Sequence, residues 1–306
     1  MTKPRFALVV APLALALTFI VSSCSSVTND AARVGDRSLS AADFDDLVLG
    51  YVESGGSEDS RTDGPQSADL ARNLLTSWIS VSVTLDLIAD AGGEVSDQDL
   101  AASEELLNTQ PGFADADQKV RELFILNSAA TTKLAGLLAP ARDELADAYE
   151  SGAAESGVVC VRAILVADRE TIDLAAFRVA SGESFADVAS EVSVDPSAAD
   201  GGVLAGDGGN ACIDYESVVT SVAEEFADAL GDTAIGDVSQ PFEIPGVGWA
   251  IVLPRPFDEV ADDVSQLVGG SAATAAISEA MSTATIRVSA EYGAWDPATR
   301  TVVPVG

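Results

Sequence analysis

The sequence VVCVRAILV at residues 158–166, together with GWAIVL at residues 248–253, decides the fold of the second half of this 306-residue chain. Both runs are rich in β-branched and aromatic residues and are bounded by Gly or Pro, which is typical of strands. The residues between them have helical patterns or lie in a glycine-rich loop. The two runs therefore predict a small domain over residues 153–256 with a strand at each end.

Six short motifs in this region resemble, in their order along the chain, the parvulin class of peptidyl-prolyl isomerases. They are RAILV (162–166), SGESFADVA (181–189), SVDPS (193–197), GGVL (201–204), EFADAL (225–230) and GWAIV (248–252). The resemblance implies a small antiparallel sheet flanked by helices. It also implies a site that binds proline-containing peptides.

The resemblance assigns roles to five residues. Asp195 takes the acidic-or-thiol position and is the candidate catalytic group, while Leu204 and Phe226 line the proline pocket. Where the family carries two histidines, this chain has Ala163 and Ala250, and it contains no histidine at all. Prolyl isomerisation crosses a barrier of about 20 kcal/mol by bond rotation alone, so no obligate nucleophile is lost. We expect peptide binding at Ala163, Leu204, Phe226 and Ala250, with weak or absent isomerase activity.

The N-terminus has the features of a secretory signal. Residues 1–23 begin with Lys3 and Arg5 and continue with an apolar run, residues 6–21, that is shorter than the roughly 20 residues of a membrane span. An uncleaved membrane anchor is the alternative. Residues 21–24, VSSC, resemble a bacterial lipobox, which implies acylation of Cys24 and a lipoprotein on the outer face of the cell membrane. Residues 24–31 then form a short tether.

Composition limits the partners. The formal net charge is −33, from 49 acidic and 16 basic residues. Such a field repels phosphate groups, so nucleic acid is excluded as a partner and the membrane is contacted only through the anchor. The glycines between residues 201 and 209 have neither the spacing nor the lysine of a phosphate-binding loop. No cofactor is expected.

Residues 32–152 form a predicted helical module. A polar loop covers residues 54–67, and helices are expected over 67–91, 96–108 and 116–152, the last with a bend or boundary at Pro140. Trp78 and the leucines around it have the spacing of a buried helix face, with a client-binding groove as the alternative. The segment from Ala32 to Phe44 resembles the N-terminal segment of SurA-type and PrsA-type chaperones, in which a strand leads into a helical module.

The C-terminal segment, residues 257–306, is predicted to complete that module. An Ala-rich helical stretch over 257–282 carries a break at Gly269-Gly270, a strand follows over 285–288, and residues 292–297 form a turn. By the resemblance to SurA-like chaperones, Ile286–Val288 pairs with Arg33–Val34, and the parvulin-like domain is an insertion. The fold class is α+β.

The cysteine count predicts one disulfide. With Cys24 acylated, Cys160 and Cys212 remain as an even pair, and a structural disulfide is favoured over a redox pair because the chain has no Cys-x-x-Cys. Without histidine or clustered thiols, no transition-metal site is expected. Calcium at Asp262-Asp263 is unsupported, because no loop there has the required ligand spacing.

Three functions are consistent with the sequence. The first is an anchored extracytoplasmic foldase or chaperone that binds exported, unfolded chains through the helical module and a degenerate parvulin-like domain. The second is an active isomerase that uses Asp195 and an apolar pocket. The third is a non-catalytic protein that binds one envelope partner.

Overall fold

The computed structural model describes residues 29–54, 65–206, 210–221 and 223–305. The predicted signal peptide, the acylation site at Cys24 and most of the tether lie outside these ranges. The first strand begins at Asp30, so it overlaps the last two residues of the expected tether.

Helices make up most of the described chain. Polar side chains cap the starts of four of them: Ser40, Ser96, Asp117 and Asp168. Ser96 accepts a hydrogen bond from the backbone N–H of Asp99, whose carboxylate accepts one from the backbone of Ser96 in return, a full capping box. The helices are α1 (Ala41–Glu53), α2 (Pro65–Asp90), α3 (Asp97–Leu107), α4 (Gln118–Leu138), α5 (Arg142–Glu150), α6 (Ala153–Ser156), α7 (Arg169–Ala180), α8 (Phe185–Val192), α9 (Tyr215–Ser221), α10 (Glu224–Asp232) and α11 (Phe257–Thr283).

The strands form small antiparallel sheets with the orders β2-β1-β8, β9-β10, β3-β5 and β4-β7-β6. Short 3-10 helices cover Phe113–Asp115 and Pro196–Asp200. The strands are β1 (Asp30–Val34), β2 (Arg37–Ser40), β3 (Val158–Val159), β4 (Val161–Val166), β5 (Ile213–Asp214), β6 (Phe242–Ile244), β7 (Gly248–Pro254), β8 (Ile286–Val288), β9 (Ala294–Asp296) and β10 (Thr301–Val303).

The C-terminal segment completes the N-terminal module, as predicted. Strand β8 pairs with β1, with Arg287 opposite Arg33 and Ile286 opposite Val34. Trp295 packs against the core that contains Phe44 and Leu75. Both ends of the chain therefore share one hydrophobic core, and the α+β fold with an inserted domain is confirmed.

Trp78 packs in that same core, so its contacts agree with the interpretation of its stripe as a buried helix face. Two details of the C-terminal segment were predicted wrongly. Helix α11 runs unbroken through Gly269 and Gly270. Gly269 does not end the helix; its missing side chain allows α11 to approach the backbone of α4 closely. Residues 292–297 do not form only a turn, since Ala294–Asp296 is strand β9, paired with β10.

A second core joins the inserted domain to the helical module. Tyr149 of α5 and Phe257 of α11 pack with the buried Cys160 and Cys212. The Tyr149 hydroxyl donates a hydrogen bond to the carbonyl of Arg255 at 2.8 Å, and burial raises the pKa of this tyrosine to about 12. The junction is therefore buried and hydrogen-bonded.

Candidate functional site

The candidate site lies on one face of the sheet formed by β4, β7 and β6. Along a strand, side chains alternate between the two faces. Ile164 and Ile251 point towards α7 and α8, where they form a core with Val188. Ala163 and its cross-strand partner Val252 point to the opposite face, into a separate apolar cluster. The sheet therefore has one face that is only structural and one that carries the predicted site.

Three of the predicted peptide-binding residues meet in that second cluster. Ala163 lies on the sheet, Phe226 is the single buried residue of α10, and Leu204 packs beside them from the glycine-rich segment. The Phe226 ring meets the ring of Phe242 edge-on, with 6.2 Å between centroids. Val218 of α9 also belongs to this cluster. The sequence alone could not place an apolar pocket residue between 210 and 223, and the apolar pair Val218-Val219 was the signal available there.

Ala250 lies on the same face as Ala163. It is directly opposite Leu165 on one side and Phe242 on the other, and Val252, two residues further on, faces Ala163. The two alanines are thus diagonal neighbours across β4 and β7. Both are buried, and each offers only a methyl group. The face has no imidazole to organise a hydrogen-bond network.

Asp195 caps the 3-10 helix at Pro196–Asp200. Its carboxylate accepts a hydrogen bond from the backbone N–H of Ser197 at 2.9 Å, as an N-cap residue does. The segment before it is tied to the edge of β4, because Val194 donates its N–H to the Leu165 carbonyl. Asp195 is therefore near the site but already has a structural partner.

The two glycines at 201 and 202 bring the Leu204 segment against β4. Both have positive φ, and a Cβ on Gly202 would lie 2.5 Å from the carbonyl oxygen of Ala163. In this position the Ala163 N–H donates to the Gly202 carbonyl at 2.8 Å. Arg162 donates to the Gly201 carbonyl at 2.9 Å, and burial lowers the pKa of its guanidinium. These glycines thus serve close backbone packing.

The predicted disulfide between Cys160 and Cys212 is present in the structure and lies at the junction described above. The neighbouring Asn210 donates a hydrogen bond from its side chain to the carbonyl of Asp263 on α11, at 3.1 Å. The bridge and this contact hold the end of the glycine-rich loop between the sheet and α11. Sequence reasoning missed Asn210, since nothing local distinguishes it from an ordinary loop asparagine.

Among the described residues, no group of three or more carboxylates, cysteines or histidines has a geometry that could hold a metal ion. Within the same ranges no single helix is long and apolar enough to cross a membrane. Only α4 and α5 together reach that length and composition, and they meet at a bend of 76°. Leu134 and Tyr149 of these two helices are buried in the cores of the protein.

Residues 167–255 match the family described as the PPIC-type PPIase, or rotamase, domain. The match contains Asp195, Leu204, Phe226 and Ala250 and begins four residues after Ala163. A parvulin-type domain is therefore present, and five of the six motifs lie within the match, which confirms the resemblance they carry. No functionally curated protein matches the sequence.

Solved structures of PrsA proteins and of a SurA-like chaperone are similar to longer stretches of the chain, at low scores. PrsA from Bacillus subtilis is 20% identical over 85% of this chain and 94% of its own, with a TM-score of 0.33. PrsA from Lactococcus lactis is 11% identical over the same shares, with a TM-score of 0.38. A SurA-like chaperone structure from Campylobacter jejuni is 17% identical over 82% of this chain and 94% of its own, with a TM-score of 0.27. Scores this low establish no common overall arrangement.

Proposed function

We propose that this protein is a membrane-anchored extracytoplasmic foldase or chaperone that binds unfolded, exported polypeptides. Its parvulin-type domain binds proline-containing segments, with isomerase activity weak or lost. The anchor is the acylated Cys24. The observation that carries the proposal is the apolar cluster of Ala163, Leu204 and Phe226, which lies between the sheet and α10 in a rotamase-type domain.

The chemistry of the reaction supports binding without efficient catalysis. An isomerase lowers the barrier of about 20 kcal/mol by desolvating the prolyl amide and stabilising its twisted form. The apolar face supplies desolvation through Phe226 and Leu204. Ala163 and Ala250 supply no hydrogen bonds from their side chains, so the hydrogen-bond network that the two histidines of the family would order around the pocket is missing.

The Cys160–Cys212 bridge supports an extracytoplasmic location, because structural disulfides persist in oxidising compartments. Acylation of Cys24 with two or more chains would give stable attachment, which a single chain does not. The negative charge of the chain keeps its surface away from anionic lipid heads.

The second candidate function is catalysis by Asp195 within the apolar pocket. Its carboxylate lies in the motif that the family uses, but the hydrogen bond from Ser197 already occupies one oxygen as a helix cap. That bond supports a structural role. The third candidate, a protein that binds one envelope partner, makes no use of a general proline pocket.

Exchange between cis and trans forms of an Ala-Pro peptide, measured by NMR, tests the proposal. The protein is the chain from Ser25 onward, compared with its Ala163→His/Ala250→His variant. We expect peptide resonances to shift on binding while exchange stays near the uncatalysed rate of tens of seconds. Fast exchange with the natural chain would overturn the degenerate-site interpretation.

Aggregation assays separate the remaining candidates. A chaperone suppresses the aggregation of several unrelated unfolded proteins at similar molar ratios. A protein dedicated to one partner suppresses none of them. Phe226→Ala is the informative variant, because Phe226 is the anchor of α10 in the apolar cluster. Val219→Ala, an exposed residue on the neighbouring helix, is its control.

A further inference from the structure

A groove with an acidic rim lies next to the candidate peptide site, between α10 and β6. It encloses about 530 Å³, and its floor includes Ala229, Pro241 and Phe242. Ala229 and Phe242 also pack against the cluster of Ala163, Leu204 and Phe226. The groove therefore shares two of its lining residues with the apolar cluster proposed to bind prolyl segments. We call it the α10 groove.

The rim of the α10 groove is negatively charged and uncompensated. Its lining includes no Lys or Arg, and in the described ranges none of its carboxylates lies within ion-pairing distance of a cationic side chain. The four rim carboxylates are Glu225, Asp228, Asp232 and Asp237.

The arrangement of these carboxylates is unfavourable while the groove is empty. Asp228 and Asp232 are four residues apart on α10, where like charges repel each other. Asp232 is also the last residue of α10, whose final turn has no basic residue, so it faces the negative end of the helix dipole. A cation in the groove relieves both effects.

We propose that the α10 groove binds a lysine or arginine side chain of the client polypeptide, close in sequence to the proline. This inference rests on the proposed function and specifies its substrate class. A long basic side chain fits both halves of the groove, because its aliphatic stem covers an apolar floor while its charged end reaches carboxylates. A metal ion would gain nothing from the apolar floor, because that floor supplies no ligand atoms. Among the described residues, no group of carboxylates could hold a metal ion.

Geometry limits where the basic residue lies in the peptide. The ring of Phe226 in the predicted proline pocket is 6.2 Å from that of Phe242 in the groove floor. An extended chain advances about 3.3–3.6 Å per residue, so the basic residue lies about two positions from the proline.

Three blocked peptides test the inference: Ala-X-Ala-Pro-Ala-X-Ala with Lys, Gln or Glu at both X positions. Their dissociation constants are measured with the chain from Ser25 onward and with its Asp228→Asn/Asp232→Asn variant. Asp143→Asn/Asp147→Asn is the matched control, because it removes the same charge from exposed positions with the same spacing on α5.

We expect the Lys peptide to have a dissociation constant about fivefold lower than that of the Gln peptide. The factor is what two solvent-exposed ion pairs between lysine and the groove carboxylates would add to binding. The α10 variant loses that preference and the α5 variant keeps it. Equal binding of the three peptides, or equal loss of preference in both variants, would overturn the inference while leaving the proposed function in place. If none of the peptides binds, the proposed function itself fails.

Discussion

Replacing Gly269 or Gly270 by alanine should have opposite effects on stability, although the two residues are neighbours in the same helix. Helix α11 lies against α4 where the buried Ala273 packs with Ala130 and Leu134. A Cβ on Gly269 would lie 2.3 Å from the carbonyl oxygen of Ala135, whereas a Cβ on Gly270 would meet nothing within 4 Å.

The magnitudes follow from these two surroundings. Alanine is favoured over glycine within a helix by about 0.5–1 kcal/mol, and Gly270→Ala should gain about this much. Gly269→Ala gains the same helix propensity. The atom that its new Cβ meets, however, is the backbone carbonyl oxygen of Ala135, which cannot rotate away as a side chain can. Overpacking a fitted contact costs about 1–3 kcal/mol, so the net effect should be a loss of about 1–2 kcal/mol.

Urea unfolding of the chain from Ser25 onward, followed by circular dichroism at the helix band, measures both free energies. Each variant is compared with the natural sequence, and the slope of the transition checks that the unfolded states are comparable. If Gly269→Ala stabilised the protein as much as Gly270→Ala, the close contact between α4 and α11 would be refuted. Stabilisation by both substitutions would still argue against a helix break here, because alanine is favoured over glycine only where the backbone is helical.

Two further predictions concern stability. Cys160→Ala/Cys212→Ala should lower the free energy of unfolding by about 4 kcal/mol, since the bridge closes a loop with a sequence separation of 52 residues. Reductant should destabilise the natural chain similarly and leave the variant unchanged; a loss below about 1 kcal/mol would contradict this account of the bridge. Hydrogen bonds from the backbone and side chain of Ser96 hold the pKa of Asp99 below its ordinary value of 3.8. Its stabilising contribution is therefore complete above that value and lost as the pH falls through the lowered pKa. Asp99→Asn should flatten this part of the acid dependence of the urea midpoint, and an unchanged acid profile would count against the capping box.

Local sequence patterns were sufficient for the elements of this protein and for the identity of its second domain. Apolar periodicity, serine caps and the Pro140 boundary predicted most helices, since these signals act within a few residues. The motifs around Ala163 and Ala250 indicated a parvulin-type domain, and the even pair Cys160 and Cys212 indicated a disulfide.

Errors arose where a residue acts through distant neighbours. Gly269 carries the pattern of a helix break, and only its approach to Ala135 shows that it serves packing. Strand β9 has too short a pattern to predict, and it exists because β10 pairs with it. Asn210 gains its role only from α11.

The sequence by itself determined which chemical groups are present. The chain has no imidazole, apolar residues at the positions of the parvulin pocket, and a large excess of carboxylates. Apart from Cys24, the proposed acylation site, it has one pair of cysteines. The tertiary structure decided where that chemistry meets. It joined Ala163, Leu204 and Phe226 across some sixty residues of chain, and it set the acidic side of α10 beside the apolar floor at Phe242. Contacts between residues so far apart in the chain depend on how the helices and strands pack, and a pattern of a few neighbouring residues carries no information about that packing.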